Sequence, residues 1–151
     1  MPIAQKPQTE PEPPSRSPVR STDPRHTLGF LGETIAAAHF VRLGFTILAR
    51  NVRTRYGEID LVAFDGTALV FVEVKTARAN ARAIRPAHTA HDPLERLRPH
   101  QQARLRRLAT AWLCEHRPDR PAAREIRFDA VGVTLDARNR LLRLDHLEAA
   151  W

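Results

Sequence analysis

The sequence predicts an α/β fold in which helices flank a central mixed sheet, and two patterns of apolar residues support this prediction. In two segments, apolar residues recur every three or four positions, as they do along one side of a helix. In five shorter segments, the side chains alternate between two faces, as they do along a strand. The predicted order is αβββαβ with one further strand, which is typical of layered α/β domains.

The two helices are predicted from their apolar sides. The first covers residues 28–44 and ends at Gly44, a residue that favours helix ends. Its apolar side is formed by Ala36, Ala37, Phe40, Val41 and Leu43. Glu33 is the only charge on that side. The second helix covers residues 99–116, with Pro99 in its first turn. Its apolar stripe consists of Leu105, Leu108, Ala109, Trp112 and Leu113.

Five strands are predicted, and a turn links two of them. The strands cover residues 45–53, 58–64, 69–75, 125–135 and 141–147. Asp65-Gly66-Thr67 lies between the second and third strands and is typical of a hairpin. A four-residue connection there would pair Phe64 with Leu69, Asp60 with Glu73, and Glu58 with Lys75.

The remaining segments bound the domain, since 151 residues suffice for one domain with a buried core. Residues 1–26 hold seven of the twelve prolines and are predicted to be a disordered tail. The folded domain is therefore predicted to cover residues 27–151. Residues 76–98 lack periodicity and are predicted to form a long basic loop.

The charge distribution suggests a polyanionic partner. The net charge of the chain is +7. Residues 76–127 contain twelve arginines against five acidic residues, so the charge of this segment alone equals the net charge of the chain. Such a stretch favours binding to nucleic acid, with DNA as the first candidate. A GC-rich genome that encodes arginine for solubility is the alternative explanation.

Several protein classes are excluded on composition. The chain has no run of 18 apolar residues, so no membrane span is expected, and its N-terminus has no apolar signal region. Cys114 is the only cysteine, which excludes an internal disulfide and disfavours a thiolate zinc site. A cytoplasmic location is expected. The oligomeric state stays open, a homodimer included.

Asp60 and Glu73 are the strongest candidates for chemistry. Two carboxylates opposed across a strand pair repel each other, and a divalent cation such as Mg²⁺ (or Mn²⁺) would offset that repulsion. Lys75 follows on the same face and could orient a water or stabilise charge on a phosphate. The chain has 22 arginines and two lysines, so a lysine here suggests a specific need for an ammonium group. A simple Glu58–Lys75 salt bridge is the alternative.

Six motifs carry a resemblance to a known family. They are Gly32-Glu33, Arg50-Asn51-Val52-Arg53, Gly57-Glu58-Ile59-Asp60-Leu61, Val70-Phe71-Val72-Glu73-Val74-Lys75, Arg127-Phe128-Asp129 and His146-Leu147-Glu148-Ala149-Ala150-Trp151. Across residues 28–151 the chain resembles the YraN-like family of uncharacterised bacterial proteins. That family is similar to the PD-(D/E)XK nucleases, including archaeal Holliday-junction resolvases.

The resemblance implies a restriction-endonuclease-like core and a set of site residues. Asp60 and Glu73 would be metal ligands, Lys75 the catalytic lysine, and Glu33 an acidic metal ligand from the first helix. Ala77 stands where the family usually has an arginine, and the second helix opens with Pro99-His100-Gln101 instead of a lysine. These departures concern substrate contacts and leave the metal-binding residues intact.

The candidate phosphate contacts are arginines from three segments. They are Arg53 and Arg55 after the first strand, Arg78, Arg82 and Arg85 in the basic loop, and Arg104 and Arg107 on the second helix. The leading hypothesis is a Mg²⁺-dependent nuclease that hydrolyses phosphodiester bonds in DNA, branched or otherwise structured nucleic acid included. The alternatives are a catalytically silent nucleic-acid-binding module of the same fold and a protein-interaction scaffold.

Overall fold

The computed structural model describes residues 24–79, 94 and 98–151 and confirms the predicted α/β class. Its elements are α1 (Pro24–Arg42), β1 (Thr46–Thr54), β2 (Gly57–Phe64), β3 (Ala68–Arg78), α2 (Pro99–Glu115), β4 (Glu125–Leu135) and β5 (Leu141–Leu147). The five strands form one sheet in the order β1-β2-β3-β4-β5. The β3–β4 pair is parallel and the other three pairs are antiparallel, so the predicted mixed sheet is confirmed.

The parallel pair explains the place of α2 in the chain. Parallel neighbours need a long crossover connection, and the segment between β3 and β4 supplies one that contains α2. Within the described residues, neither helix has the combined length and apolarity that crossing a bilayer requires.

Two apolar clusters lie on opposite faces of the sheet. On the α1 side, Val70 and Val72 pack in one cluster with Phe40. On the α2 side, Leu69 and Phe71 pack in a second cluster that also holds Leu108 and Trp112. This alternation along β3 is the one predicted, and it buries the central strand on both faces.

Some predicted boundaries differ from the structure. The first helix begins at Pro24, so residues 24–26, predicted as part of the tail, are helical. The third strand continues to Arg78, because its parallel pairing with β4 extends to Arg78↔Leu135. Arg78 is therefore a strand residue, and the prediction that it lies in a loop is wrong. The rest of the predicted tail, residues 1–23, and most of the predicted basic loop, residues 80–93 and 95–97, lie outside the described residues.

Gly32 lets α1 approach the sheet closely. A Cβ atom at Gly32 would stand 1.8 Å from the Thr76 Oγ1 atom, so any side chain there would push the helix away from β3. Because Glu33 follows directly, this close contact also sets the position of its carboxylate at the end of the sheet.

Candidate active site

The β2–β3 hairpin has the predicted register, but its ladder ends earlier than predicted. Phe64 pairs with Leu69 and Val62 with Phe71, as expected. The last pair is Leu61↔Val72, so the predicted Asp60–Glu73 and Glu58–Lys75 ladder pairs do not form. The physical reason is that the Val74 N–H donates to the Asp60 Oδ2 atom at 2.7 Å, in place of a main-chain ladder bond.

A cavity of about 440 Å³ opens at this end of the hairpin. Three of the four predicted catalytic residues line it: Glu33 from α1, Asp60 from β2 and Glu73 from β3. Arg53 and Arg104 also line it, so α1 and α2 both contribute to its wall from opposite faces of the sheet. This cavity is called the acidic cleft below.

Four carboxylates line the acidic cleft, because Glu58 joins the three predicted residues, and Glu33, Asp60 and Glu73 each accept one hydrogen bond. The Asn51 amide donates to Glu33 Oε2, the Val74 N–H donates to Asp60 Oδ2, and Lys75 Nζ donates to Glu73 Oε1 at 2.5 Å. The other oxygen of each group has no hydrogen bond from the described residues. The predicted proximity of Lys75 to Glu73 is confirmed.

Asp60 holds its proton far more strongly than an ordinary aspartate. Burial and the neighbouring Glu73 carboxylate raise the pKa of Asp60 to about 7, with Glu33 adding to the effect. The hydrogen bond from Val74 and the charge of Lys75 oppose this rise. The acidic cleft holds four carboxylates, since Glu58 also lines it, against the cationic groups of Arg53, Arg104 and Lys75.

A residue of β1 with an unusual backbone angle lines the cleft, and no pattern in the sequence indicates it. Asn51 has φ 50°, a left-handed value that asparagine tolerates better than most residues. It lies between the ladder pairs Arg50↔Leu61 and Val52↔Ile59, and its side chain reaches Glu33. Ile59 packs in the same cluster as Val62, although residues three apart face opposite sides of a regular strand.

The predicted phosphate-binding arginines are divided between several places. Arg53 lines the acidic cleft, and its Nε lies 4.0 Å from a carboxylate oxygen of Glu58. Arg104 lies across Gly57, where a Cβ atom would stand 2.7 Å from its Nη2 atom. Gly57 has φ 132°, a value that favours glycine. The backbone angle therefore favours glycine here, whereas the guanidinium of Arg104 lies at the end of a flexible side chain that could move aside.

The other predicted arginines lie outside the acidic cleft. Arg55 and Arg107 both flank the ring of Tyr56. Arg78 donates to the Asn139 Oδ1 atom at 2.7 Å, far from the three carboxylates along β3. Arg82 and Arg85 belong to residues that the structure does not describe. Sequence reasoning also missed His26, Gly29 and Phe30 of the cleft wall, because nothing in the helical pattern marks solvent-facing residues as site residues.

The carboxylates are not arranged as a preformed metal centre. In the part of the chain that the structure describes, no group of three or more His, Cys, Asp or Glu side chains is placed to hold a metal ion by itself. The donor set still fits Mg²⁺, which prefers carboxylate oxygens and keeps several waters or substrate phosphate oxygens among its ligands. Two protein carboxylates are enough for such a site.

A second polar cluster surrounds Asp129, which is fully buried on β4. Arg127 donates to both of its oxygens at 2.8 Å, His146 Nε2 lies 2.9 Å from Oδ2, and the Ala149 N–H donates to Oδ1 at 3.0 Å. Burial alone would raise the pKa of Asp129, but these hydrogen bonds from His146, Arg127 and Ala149 lower it. This Asp129 network ties the C-terminal residues to β4.

Comparison with known proteins gives one consistent result. The family described as "Uncharacterised protein family UPF0102" matches residues 32–133, a range that contains all four predicted catalytic residues. A UPF0102 protein of Acidothermus cellulolyticus is 46% identical over 116 residues, which cover 72% of this chain and 82% of the relative. One of Chloroflexus aurantiacus is 42% identical over 127 residues, covering 84% and 94%. One of Mycolicibacterium vanbaalenii is 39% identical over 130 residues, covering 86% and 98%.

Proposed function

Because this chain belongs to UPF0102, the YraN-like family whose motifs it carries, we propose from its acidic cleft that it is a nuclease that hydrolyses phosphodiester bonds in DNA with Mg²⁺ (or Mn²⁺). The PD-(D/E)XK assignment implied by the motifs is part of this proposal. So are the roles of Asp60, Glu73 and Glu33 as metal ligands and of Lys75 as a catalytic residue.

One observation carries the proposal: the carboxylates of Glu33, Asp60 and Glu73 meet in a single cleft, which a fourth carboxylate, Glu58, also lines. The pKa of Asp60 is raised to about 7 by burial and by Glu73, so its charged form is held in the cleft at an energetic cost. Strongly shifted groups in a cleft are frequent at functional sites because burial and like charges are maintained there at a cost in stability. A divalent cation would offset the repulsion between these carboxylates and would relieve the cost of charging Asp60.

In this proposal, each residue of the cleft acts on the metal ion, on the attacking water or on a phosphate. A bound Mg²⁺ would supply an activated water and neutralise charge on the scissile phosphate. Lys75 holds the Glu73 carboxylate and places an ammonium group beside it, where it can donate to a water or to a phosphate oxygen. Asn51 fixes the orientation of Glu33. Arg53 and Arg104 provide guanidinium donors at the cleft wall for phosphates of the bound strand.

A second candidate function is a nucleic-acid-binding module that does not cleave. The observation in its favour is that the described residues include no preformed three-ligand metal group. Both candidates bind nucleic acid, so binding does not separate them. Metal-dependent cleavage separates the two candidates, because only the nuclease would show it.

The decisive experiment is a cleavage assay on single-stranded, duplex and branched DNA, with Mg²⁺ and with a chelator. We expect cleavage with Mg²⁺ only, and loss of cleavage in Asp60→Asn and in Lys75→Ala. Glu125→Gln, which changes an exposed carboxylate at the start of β4, is the matched control and should cleave like the parent. Cleavage that persists in the chelator or in Asp60→Asn would contradict the proposal. Binding without cleavage of any substrate would establish the second candidate.

A further inference from the structure

The turn between β1 and β2 presents an aromatic side chain that takes part in neither apolar cluster. Tyr56 is 43% exposed. The turn that carries it is held by its own hydrogen bonds: Thr54 Oγ1 donates to the Gly57 carbonyl at 3.1 Å and accepts from the Tyr56 N–H at 3.1 Å. A large ring on a well-held turn loses little entropy when a ligand covers it.

Two arginines from different elements flank this ring. The guanidinium carbon of Arg55 lies 4.7 Å from the centroid of the Tyr56 ring, and that of Arg107, on α2, lies 5.9 Å from it. The three side chains line a surface cavity of about 380 Å³, together with Cys114. Glu115 is the one acidic residue among its described lining residues, so the two arginines leave this cavity with an excess of positive charge.

Arg104 places a cationic group of the acidic cleft close to the turn that carries Tyr56. Arg104 lines the cleft and lies across Gly57, the residue after Tyr56. Arg107 is three residues further along α2, on the same side of the helix. A strand with a phosphate in the acidic cleft would therefore find further cationic groups at Arg104 and then at Arg107, next to the exposed ring.

We propose that Tyr56, Arg55 and Arg107 form a subsite for an unpaired nucleotide of the substrate strand. The proposal rests on the proposed function and narrows its substrate class to DNA with a single-stranded segment beside the cleaved phosphate. An aromatic ring and guanidinium planes both stack on nucleobases, and arginine also binds the phosphate. In a duplex, neighbouring pairs cover both faces of each base, so only an unpaired nucleotide can offer its face to Tyr56.

The first test uses Cys114, the only cysteine of the chain, which is exposed and lines this cavity. The rate of its modification by a maleimide is measured in metal-free buffer, with an oligothymidine of about ten nucleotides, a length within the usual range of single-strand sites. We expect the oligothymidine to slow the modification, and a blunt hairpin duplex of equal charge to slow it far less. Equal protection by both ligands, or none by either, would overturn the subsite.

The second test compares substitutions at the ring. Tyr56→Ala should weaken binding of oligothymidine about 10-fold or more and leave binding of the duplex nearly unchanged, while Tyr56→Phe should retain most of the affinity. Arg107→Ala should reduce single-strand affinity as well, and Arg138→Ala, an exposed arginine in the β4–β5 turn, is the charge control. An equal effect of Tyr56→Ala on both ligands would overturn the proposal.

The two proposals fail in different ways. If Asp60-dependent cleavage is observed but Tyr56→Ala binds and cleaves single strands like the parent, the subsite is wrong and the nuclease stands. If no substrate is cleaved but oligothymidine binding and Cys114 protection depend on Tyr56, the subsite stands as part of a binding module.

Discussion

Asp60 and Asp129 lie on strands of the same sheet, yet their electrostatic surroundings are opposite. Asp129 is fully buried and accepts four hydrogen bonds from Arg127, His146 and the Ala149 N–H. Asp60 is less buried and accepts one, from the Val74 N–H, while Glu73 and Glu33 add negative charge nearby. Accordingly, the pKa of Asp129 is lowered, whereas burial and Glu73 raise the pKa of Asp60 to about 7.

The comparison shows that burial by itself does not determine whether the pKa of a carboxylate is raised or lowered. The more deeply buried group is the one whose charge is satisfied, and it serves to hold the C-terminal residues. Asp60 is also penalised by burial but has one hydrogen-bond donor and two acidic neighbours, a condition in which a site gains from binding a cation. Burial opposes the charged form of both aspartates, and the hydrogen bonds that outweigh it at Asp129 distinguish that network from the acidic cleft.

The largest expected effect follows from breaking the satisfied network. Asp129→Ala leaves the guanidinium of Arg127 and the ring of His146 without their shared acceptor, and it should lower the free energy of unfolding by about 3–5 kcal/mol. Urea denaturation would measure this loss. Asp119→Ala, at an exposed position after α2, should change the free energy of unfolding by less than about 0.5 kcal/mol. A loss below about 1 kcal/mol for Asp129→Ala would mean that Arg127 and His146 do not depend on Asp129 as their shared acceptor.

The pH dependence of stability should separate the two aspartates. The pKa of Asp60 is about 7 in the folded protein and about 4 in an unfolded chain, so the folded state binds the proton more tightly. The free energy of unfolding of the metal-free protein should therefore fall as pH rises from about 4 to about 7, by at most about 4 kcal/mol, and then level. Asp129 has a lowered pKa, so its contribution is present above about pH 4 and is lost in more acidic solution.

Asp60→Asn should remove the fall between pH 4 and pH 7 and make the metal-free protein as stable as the parent, or more stable, at neutral pH. Parallel urea titrations of parent and variant across this range would measure the difference. A variant that is less stable than the parent at pH 8 would show that Asp60 belongs to a structural network like that of Asp129.

Added Mg²⁺ should stabilise the protein through Asp60, and this effect should distinguish the Asp60 variant from the Lys75 variant. Mg²⁺ at 100 times its dissociation constant should stabilise the parent by about 2.7 kcal/mol, if it binds only the folded state. Asp60→Asn should lose this stabilisation, whereas Lys75→Ala should keep it, since Lys75 is not a proposed ligand. The measurement is the thermal midpoint with Mg²⁺ against KCl of equal ionic strength. Equal stabilisation of parent and Asp60→Asn would place the ion elsewhere.

The smallest expected effect concerns the cations around the acidic cleft. Arg104→Ala should flatten the dependence of log affinity for DNA on log salt concentration by about 0.7–0.9. Fluorescence anisotropy over a salt series would measure the slope, with Arg138→Ala as the control of equal charge. An unchanged slope would move the phosphate contacts to other arginines.

The sequence was sufficient to predict the parts of this site that depend on local patterns. The alternation along β2 and β3 and the Asp65-Gly66-Thr67 turn set the register, so Asp60 and Glu73 could be expected to meet. Glu33 stood out as a charge on an apolar helix side, and it does line the acidic cleft.

What could not be predicted depends on contacts between distant segments. β3 extends to Arg78 because β4 pairs with it, and no sequence pattern after Lys75 indicates that pairing. The hydrogen bond from Asn51 to Glu33 depends on a left-handed backbone angle in β1. Tyr56 could equally have been a core residue until the position of α2 placed Arg107 beside it.

The parallel β3–β4 pair also has a consequence for the order in which the chain folds. Asp60 and Glu73 belong to a hairpin that can close through a short turn, whereas the β3–β4 ladder joins Ala68 to Glu125, 57 positions apart. Long loops close at a higher entropic cost and contacts of high sequence separation slow folding, so we expect the hairpin to form well before β4 docks. Until β4 arrives, one edge of β3 offers unpaired main-chain groups to other chains. The rate of that docking step, and not the stability of the finished sheet, should therefore govern aggregation during refolding.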